Sequence, residues 1–294
     1  MNIGQLSPLS WLAPSSYDVR GKTVLITGAG QGIGLEVAKI LHGRGASVAI
    51  VDVDEGSALA AADRLGTSAL GLGADVRDRD LMEKVTARVA EHFGRLDVVV
   101  ANAGVTPAPA TVRTMDAGDF DRVIAINLTG VFNTVRPALD HVIAAHGHVV
   151  VVSSCAAFSP GMAGSPYMMS KAAVEQFGRA LRIELAAVGA SAGIAYFGVV
   201  ETAMTHDMLD NDDLGRELDA MLPWPLNVRI TAAEAAKVIA DGIKRRSART
   251  VAPSGWEPYA LLRGAINVVM DHVLAGDPKV GELIRAIEQR ALRS

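Results

Sequence analysis

Short, nearly continuous apolar runs alternate along this chain with longer stretches of helical period. The runs fall at residues 23–26, 47–51, 69–72, 98–101, 148–152, 192–197 and, more weakly, 250–252. Their unbroken hydrophobicity predicts strands covered on both faces, because half-exposed strands would alternate polar and apolar positions. Between them, Ile33, Val37, Ile40 and Leu41 share one helical face, and Leu81, Val85, Val89 and Phe93 share another. The alternation predicts an α/β fold: a doubly wound parallel sheet of about seven strands. A longer helical stretch at 117–145 contains Pro137, which lacks a backbone donor and should kink or interrupt it.

The same pattern divides the chain. Residues 21–254 carry the βα alternation and read as one domain, flanked by extensions at 1–20 and 255–294. The first twenty residues contain Pro8 and Pro14, no lysine and no continuous apolar core, so they read as an extension rather than a signal peptide. Past residue 254, the segments 259–274 and 280–292 read as two helices separated by Gly276-Asp277-Pro278; they could close a pocket or extend a subunit contact. No stretch reaches the length of a membrane span, and the nearest, 259–274, is interrupted by Arg263 and Asp271.

Composition changes this picture only by exclusion. At 294 residues, half of them hydrophobic, the chain has ample core, and a net charge of -4 offers no basic stripe for nucleic acid. The Lys244-Arg245-Arg246 cluster fits a helix C-terminus instead. Cys155 is the single cysteine, which rules out an internal disulfide and suits a reducing compartment; a cytoplasmic location is expected. No metal site is expected, because His146-Gly147-His148 has no carboxylate or cysteine nearby at ligand spacing.

Directly after the first strand comes Thr27-Gly28-Ala29-Gly30-Gln31-Gly32-Ile33-Gly34, leading into a helix. Glycines there permit a tight turn and let backbone amides approach a pyrophosphate at the helix N-terminus. Asp52, at the end of the second strand, completes a dinucleotide-binding arrangement. Its carboxylate can accept both ribose hydroxyls of NAD and would repel the 2'-phosphate of NADP. Gln31 supplies no cation to offset that repulsion, so NAD is the expected cofactor, in preference to NADP.

Tyr167 and Lys171 stand four residues apart in Ser-Pro-Tyr-Met-Met-Ser-Lys, a spacing that puts phenol and ammonium on one helix face. Two unit charges about 4 Å apart interact by roughly 4 kcal/mol at an effective dielectric of 20, or about three pKa units. Lys171 is therefore expected to draw the phenol towards neutrality, where general acid/base work is efficient.

With these motifs in order, the chain resembles the short-chain dehydrogenase/reductase family over roughly residues 20–252. The family's glycine motif matches at Thr27 to Gly34, its Asp-Val after the third strand at Asp75-Val76, and its Asn-Asn-Ala-Gly at Ala101-Asn102-Ala103-Gly104, where the first asparagine is missing. Its helical asparagine matches Asn127, and its serine, thirteen residues before the tyrosine, matches Ser154. The resemblance implies a Rossmann fold, an oxidoreductase acting on CH-OH donors, and a catalytic tetrad of Asn127, Ser154, Tyr167 and Lys171. In that scheme Tyr167 exchanges the hydroxyl proton and Ser154 holds the substrate oxygen. Lys171 tunes the phenol and bonds the nicotinamide ribose, and Asn127 holds a water linking Lys171 to solvent. Cofactor contacts are implied for Gly28, Gly30, Gln31, Gly32, Ile33, Gly34 and Asp52, then for Asp75, Val76, Asn102, Ala103 and Gly104, and also for Tyr167, Lys171 and Thr202. Phe197-Gly198 replaces the family's Pro-Gly after the sixth strand, so the backbone beside the nicotinamide is expected to differ.

The stretch from Val199 to Ile230, rich in methionine and leucine, corresponds to the family's mobile substrate cover. Its adaptable side chains suit a hydrophobic secondary alcohol or ketone, steroid-like or long and aliphatic. Met204, Met208 and Trp224, with Phe158 and Met162 from the segment between Ser154 and Tyr167, are the candidate substrate contacts. Relatives form dimers or tetramers through the helices bearing the asparagine and the tyrosine. A homodimer or homotetramer is thus expected, and Val174, Phe177 and Leu181 are compatible with it. Two other readings stand beside the NAD-linked dehydrogenase: an NADP-linked carbonyl or ketoacyl reductase, and a catalytically silent NAD-binding sensor or scaffold. A hydrolase of the α/β type would need Gly-x-Ser-x-Gly, which does not occur.

Overall fold

The computed structural model describes residues 16–293; most of the expected N-terminal extension, residues 1–15, lies outside them. Seven parallel strands form one sheet in the order β3-β2-β1-β4-β5-β6-β9. They are β1 (Thr23–Thr27), β2 (Ser47–Asp52), β3 (Ala69–Gly73), β4 (Val98–Ala101), β5 (His148–Val152), β6 (Ser191–Phe197) and β9 (Arg249–Ala252). All seven lie where unbroken apolar runs predict them. Alternate side chains enter opposite layers: Val24 and Ile26 join one core, and Leu25 the other. Each face is closed by helices, so every position of β1 is buried.

On one face pack α1 (Gly32–Gly43), α2 (Glu55–Leu65) and α10 (Ala232–Arg245). On the other lie α3 (Arg79–Phe93), α5 (Gly130–Val135), α6 (Leu139–Ala144) and α7 (Ser165–Ala186). Asp54 and Asp78 cap α2 and α3 by accepting from Ser57 and Leu81 backbone N-H groups. Helix α10 begins with a Thr231/Glu234 capping box and carries Lys244 and Arg245 in its last turn, complementing its dipole as expected. The 117–145 stretch is broken twice. After α4 (Ala117–Ile124) comes a π-helical turn, Ala125–Thr129, which the sequence did not signal; Pro137 then falls in a 3-10 turn, Arg136–Ala138, between α5 and α6.

The strand order reverses direction between β1 and β4, and the crevice at that switch point opens at the carboxyl ends of the strands. Above it, residues 202–229 form an excursion holding α8 (Ala203–Thr205), a π-helical turn (His206–Asp210) and α9 (Asp213–Ala220). Two unanticipated short strands, β7 (Val200–Glu201) and β8 (Ile230–Thr231), pair in parallel and pinch its base. The chain continues into α11 (Trp256–Gly276) and α12 (Pro278–Ala291), slightly longer at their starts than the periodicity suggests. Among the described residues no helix is long and apolar enough to cross a membrane. Val174 and Leu181 are buried within the chain itself and Phe177 packs partly buried against the same core. Val174 and Leu181 are thus core residues of α7, and of the three only Phe177 keeps part of its surface exposed.

Candidate active site

A cleft of about 450 Å³ runs along the carboxyl ends of the strands, from Gly28 and Asp52 at one end to Ser154, Tyr167 and Lys171 at the other. Its nucleotide end is shaped by backbone. Gly28 and Gly32 adopt φ of +61° and +56°, conformations that side chains disfavour. A Cβ on Gly28 would lie 2.8 Å from Ala103 Cα, and one on Gly34 would press into the Gly28 carbonyl oxygen. Gln31, the N-cap of α1, makes no side-chain cap, so the helix's first amides face the cleft without a local acceptor. The observed turn and open helix start fit a diphosphate.

Polar side chains brace this turn. Asp52 accepts from Gly30 N-H at 2.9 Å, and Asn102 Nδ2 donates to the carbonyls of Thr27 and Gly28 at 2.9 and 3.0 Å. Ala101 is buried at the end of β4. Asp75 and Val76 line the cleft, and Arg77 beside them donates from Nε, Nη2 and its backbone N-H to the Asp75 carboxylate, holding it below the usual carboxylate range. Arg77 was not among the expected site residues; its signal was a cation directly after the Asp-Val pair.

At the other end, β5 delivers Ser154 just past its carboxyl terminus and α7 delivers Tyr167 and Lys171. Ser154 Oγ donates to the Phe197 carbonyl at 3.2 Å and accepts from Ala156 N-H at 3.1 Å. Its hydroxyl also lies beside the Tyr167 phenol, where it favours the ionised form. Lys171 is buried, and its ammonium donates to the Val152 carbonyl at 3.0 Å while lying 5.6 Å from the Tyr167 ring centroid. Burial lowers Lys171 to about 8.

The electrostatics depart from expectation here. Burial holds the phenol above its ordinary value, against the Ser154 contribution, and Lys171 does not enter the balance. The ammonium sits over the ring face, bound to a carbonyl, so desolvation dominates. The ring itself is only half-buried and keeps an edge on the cleft.

Asn127 sits in the π-helical turn, fully buried, and bonds reciprocally with the Val105 backbone at 2.8 and 2.9 Å. Its Oδ1 and the Lys171 ammonium both approach Gly104, at 3.3 and 3.4 Å from where a Cβ would stand. Thr202 caps α8 and faces Gly32 across the cleft. Ile33, Ala103 and Gly104 also line it. Of the candidate substrate contacts, Met204 lines the cleft, whereas Phe158, Met162, Met208 and Trp224 do not. Phe158 is buried among Tyr196, Trp256 and Tyr259, and Trp224 is 80% exposed. Gly198, which follows the unusual Phe197, has no room for a Cβ because Trp256 lies against it.

The family model described as short chain dehydrogenase matches residues 22–213. The chain belongs to the short-chain dehydrogenase/reductase family. Members of this family are oxidoreductases whose fold binds a nicotinamide dinucleotide. The chain is 34% identical over 254 residues to the probable oxidoreductase EphD of Mycobacterium tuberculosis, covering 82% of this chain and 42% of that relative. It thus spans well under half the length of EphD. It is 31% identical to the 3-oxoacyl-[acyl-carrier-protein] reductase FabG of Escherichia coli, covering 66% of this chain and 80% of that enzyme. In three dimensions it is similar to a short chain dehydrogenase/reductase from Burkholderia phymatum crystallised with NAD. The TM-score is 0.75 at 22% identity, over 89% of this chain and 98% of that one, a likeness of fold.

Proposed function

We propose that this short-chain dehydrogenase transfers hydride between NAD(H) and a hydrophobic secondary alcohol or ketone, with Tyr167 as general acid and base. One observation carries the reading: a single cleft joins the glycine turn at one end to Ser154, Tyr167 and Lys171 at the other. The nicotinamide, when bound, supplies the hydride acceptor or donor. Gly28, Gly30, Gly34 and the first amides of α1 would hold the diphosphate, and Asp52 the adenosine ribose. Thr202 would face the nicotinamide end.

At the substrate end, Ser154 donates a hydrogen bond to the substrate oxygen and holds it against Tyr167. A phenol held protonated by burial is ready to give its proton to a carbonyl oxygen being reduced. In the oxidation direction it must first lose that proton. Lys171, titrating at about 8, can carry a proton between the phenol and the Asn127 side of the cleft. Met204 and the partly buried leucines of the 202–229 excursion suit an apolar substrate.

NADP-linked reduction of a carbonyl or ketoacyl compound is the second reading. Arg77 lines the nucleotide end and could meet a 2'-phosphate, but its guanidinium is already committed to Asp75, and Asp52 lines the same cleft with an acidic side chain. The deciding experiment is a panel of hydrophobic alcohols and ketones assayed with NAD and NADP side by side. Turnover with NAD on bulky apolar substrates is expected. A preference for NADP would move the assignment to the second reading, and tight NADH binding with no turnover on any substrate would identify a silent binding protein.

A further inference from the structure

Helix α11 lies beyond residues 22–213, the span shared with the family, yet it grips both segments that carry the proposed acid/base groups. Arg263 donates twice to the Glu175 carboxylate, at 2.8 and 2.5 Å. Glu175 is buried on α7, one helical turn beyond Lys171 and two beyond Tyr167, and so shares their side of the helix. Among the described residues, the other cation paired with it, Arg179, stands off at 3.9 Å and is well exposed.

The same guanidinium lies 5.2 Å from the centroid of Phe158. Phe158 closes the 3-10 turn that Ser154 caps, its N-H donating to the Cys155 carbonyl, so its position and that of Ser154 are fixed together. Asn267, one turn along α11, donates to the Phe158 carbonyl at 2.7 Å and is itself oriented by the Tyr259 hydroxyl at 2.6 Å. Tyr259 stacks on the Phe158 ring at 6.0 Å. Arginine suits this junction because its planar fork can bond a carboxylate edge-on while its face covers an aromatic ring.

We propose that Arg263 is a positioning residue that joins the Ser154 segment to the Tyr167 helix through Phe158 on one side and Glu175 on the other. The proposal rests on the reading of Ser154 and Tyr167 given above. Both hydroxyls must reach one substrate oxygen, and they come from different elements: a strand end and a helix start. A small relative displacement would spoil proton transfer while leaving the nucleotide end, built on β1, β4 and α1, untouched.

The test uses the full chain and four variants: Arg263→Met, Arg263→Lys, Glu175→Gln and the Arg263→Met/Glu175→Gln double. Arg263→Met is expected to lower kcat by about 10- to 100-fold with unchanged KM for the dinucleotide, and Arg263→Lys to recover part of that loss. The double variant removes the orphaned carboxylate, so its melting temperature should return towards wild type while kcat stays low. A kcat for Arg263→Met within twofold of wild type, or a kcat that recovers in step with melting temperature in the double, overturns the proposal. Amide exchange gives a readout independent of turnover: residues 154–170 of Arg263→Met should exchange faster, and residues 23–43 should not. Unchanged exchange at 154–170 overturns the clamp even in an active enzyme. Faster exchange there in a protein that turns over no alcohol or ketone would uphold the clamp and remove the proposed function.

Discussion

The two ends of the cleft are held by different kinds of bond. At the nucleotide end, backbone packs against backbone: Gly28 against Ala103, Gly34 against the Gly28 carbonyl, with Asn102 tying the turn to β1. At the substrate end, side chains from distant parts of the chain do the holding. Arg229 bridges Asp210 and Asp219 within the excursion, and Arg290 of α12 reaches Asp212. Glu288 of α12 accepts from Thr111 and Arg113 in the segment between β4 and α4, and Trp256 Nε1 donates to the Leu226 carbonyl. Backbone packing leaves no freedom to substitute, whereas exposed ion pairs contribute little each and can be exchanged. One end can therefore serve a single ligand type, and the other can be reshaped around a substrate.

The largest effect is expected at the substrate end. Tyr167→Phe should reduce turnover by roughly 10²- to 10⁴-fold while NADH affinity, read by fluorescence titration, stays at the wild-type value. Turnover within threefold of wild type would take Tyr167 out of the chemistry.

Next in size is the burial of Lys171. Its folded value of about 8 lies below the ordinary 10.5, so between those two pH values the unfolded chain holds more protons and stability rises with pH. Below pH 8 the buried ammonium costs about 3 kcal/mol, and the cost vanishes as pH passes 10.5. In the nucleotide-free protein, Lys171→Met should therefore gain on wild type at pH 7 and lose most of that advantage as pH rises to 10. Parallel urea denaturation curves for the two proteins across that range would contradict it.

Asp52→Asn keeps an acceptor for the Gly30 N-H but removes the charge. The NAD-to-NADP ratio of kcat/KM should fall by about 10- to 100-fold, the worth of a hydrogen bond to a charged group. An unchanged ratio would mean that Asp52 braces the turn and does not read the ribose. The smallest test compares the two ends directly. Gly34→Ala should cost about 1–3 kcal/mol by overpacking, and Met204→Ala, at a position 39% exposed, less than about 0.5 kcal/mol. Equal costs in thermal denaturation would erase the contrast between backbone-held and side-chain-held ends.

Legibility in the sequence follows the same division. The strands could be placed because most are short, apolar and covered on both faces, whereas their order in the sheet, with β9 at a partly exposed edge, appears only in the fold. Glycine positions at the turn were readable because the constraint is local. The fate of Phe158 was not: only the aromatic cluster from α11 shows that its ring is core and not substrate wall. Trp224, which looks like an apolar contact by type, points to solvent. Lys171 and Tyr167 have the spacing of an interacting pair, but the ammonium turns to the Val152 carbonyl, and burial sets the phenol's acidity.

By itself, then, the order of residues determined the sheet, the glycine turn and the family, because these depend on periodicity, on backbone conformation and on short fixed spacings. Only the folded chain decided which charges cancel, which aromatic rings are buried, and what α11 and α12 hold. Those outcomes depend on contacts such as Arg263 with Glu175, 88 residues apart, for which no local pattern exists. A side chain's solvation and partners are properties of the space around it, and that space is assembled from the whole chain.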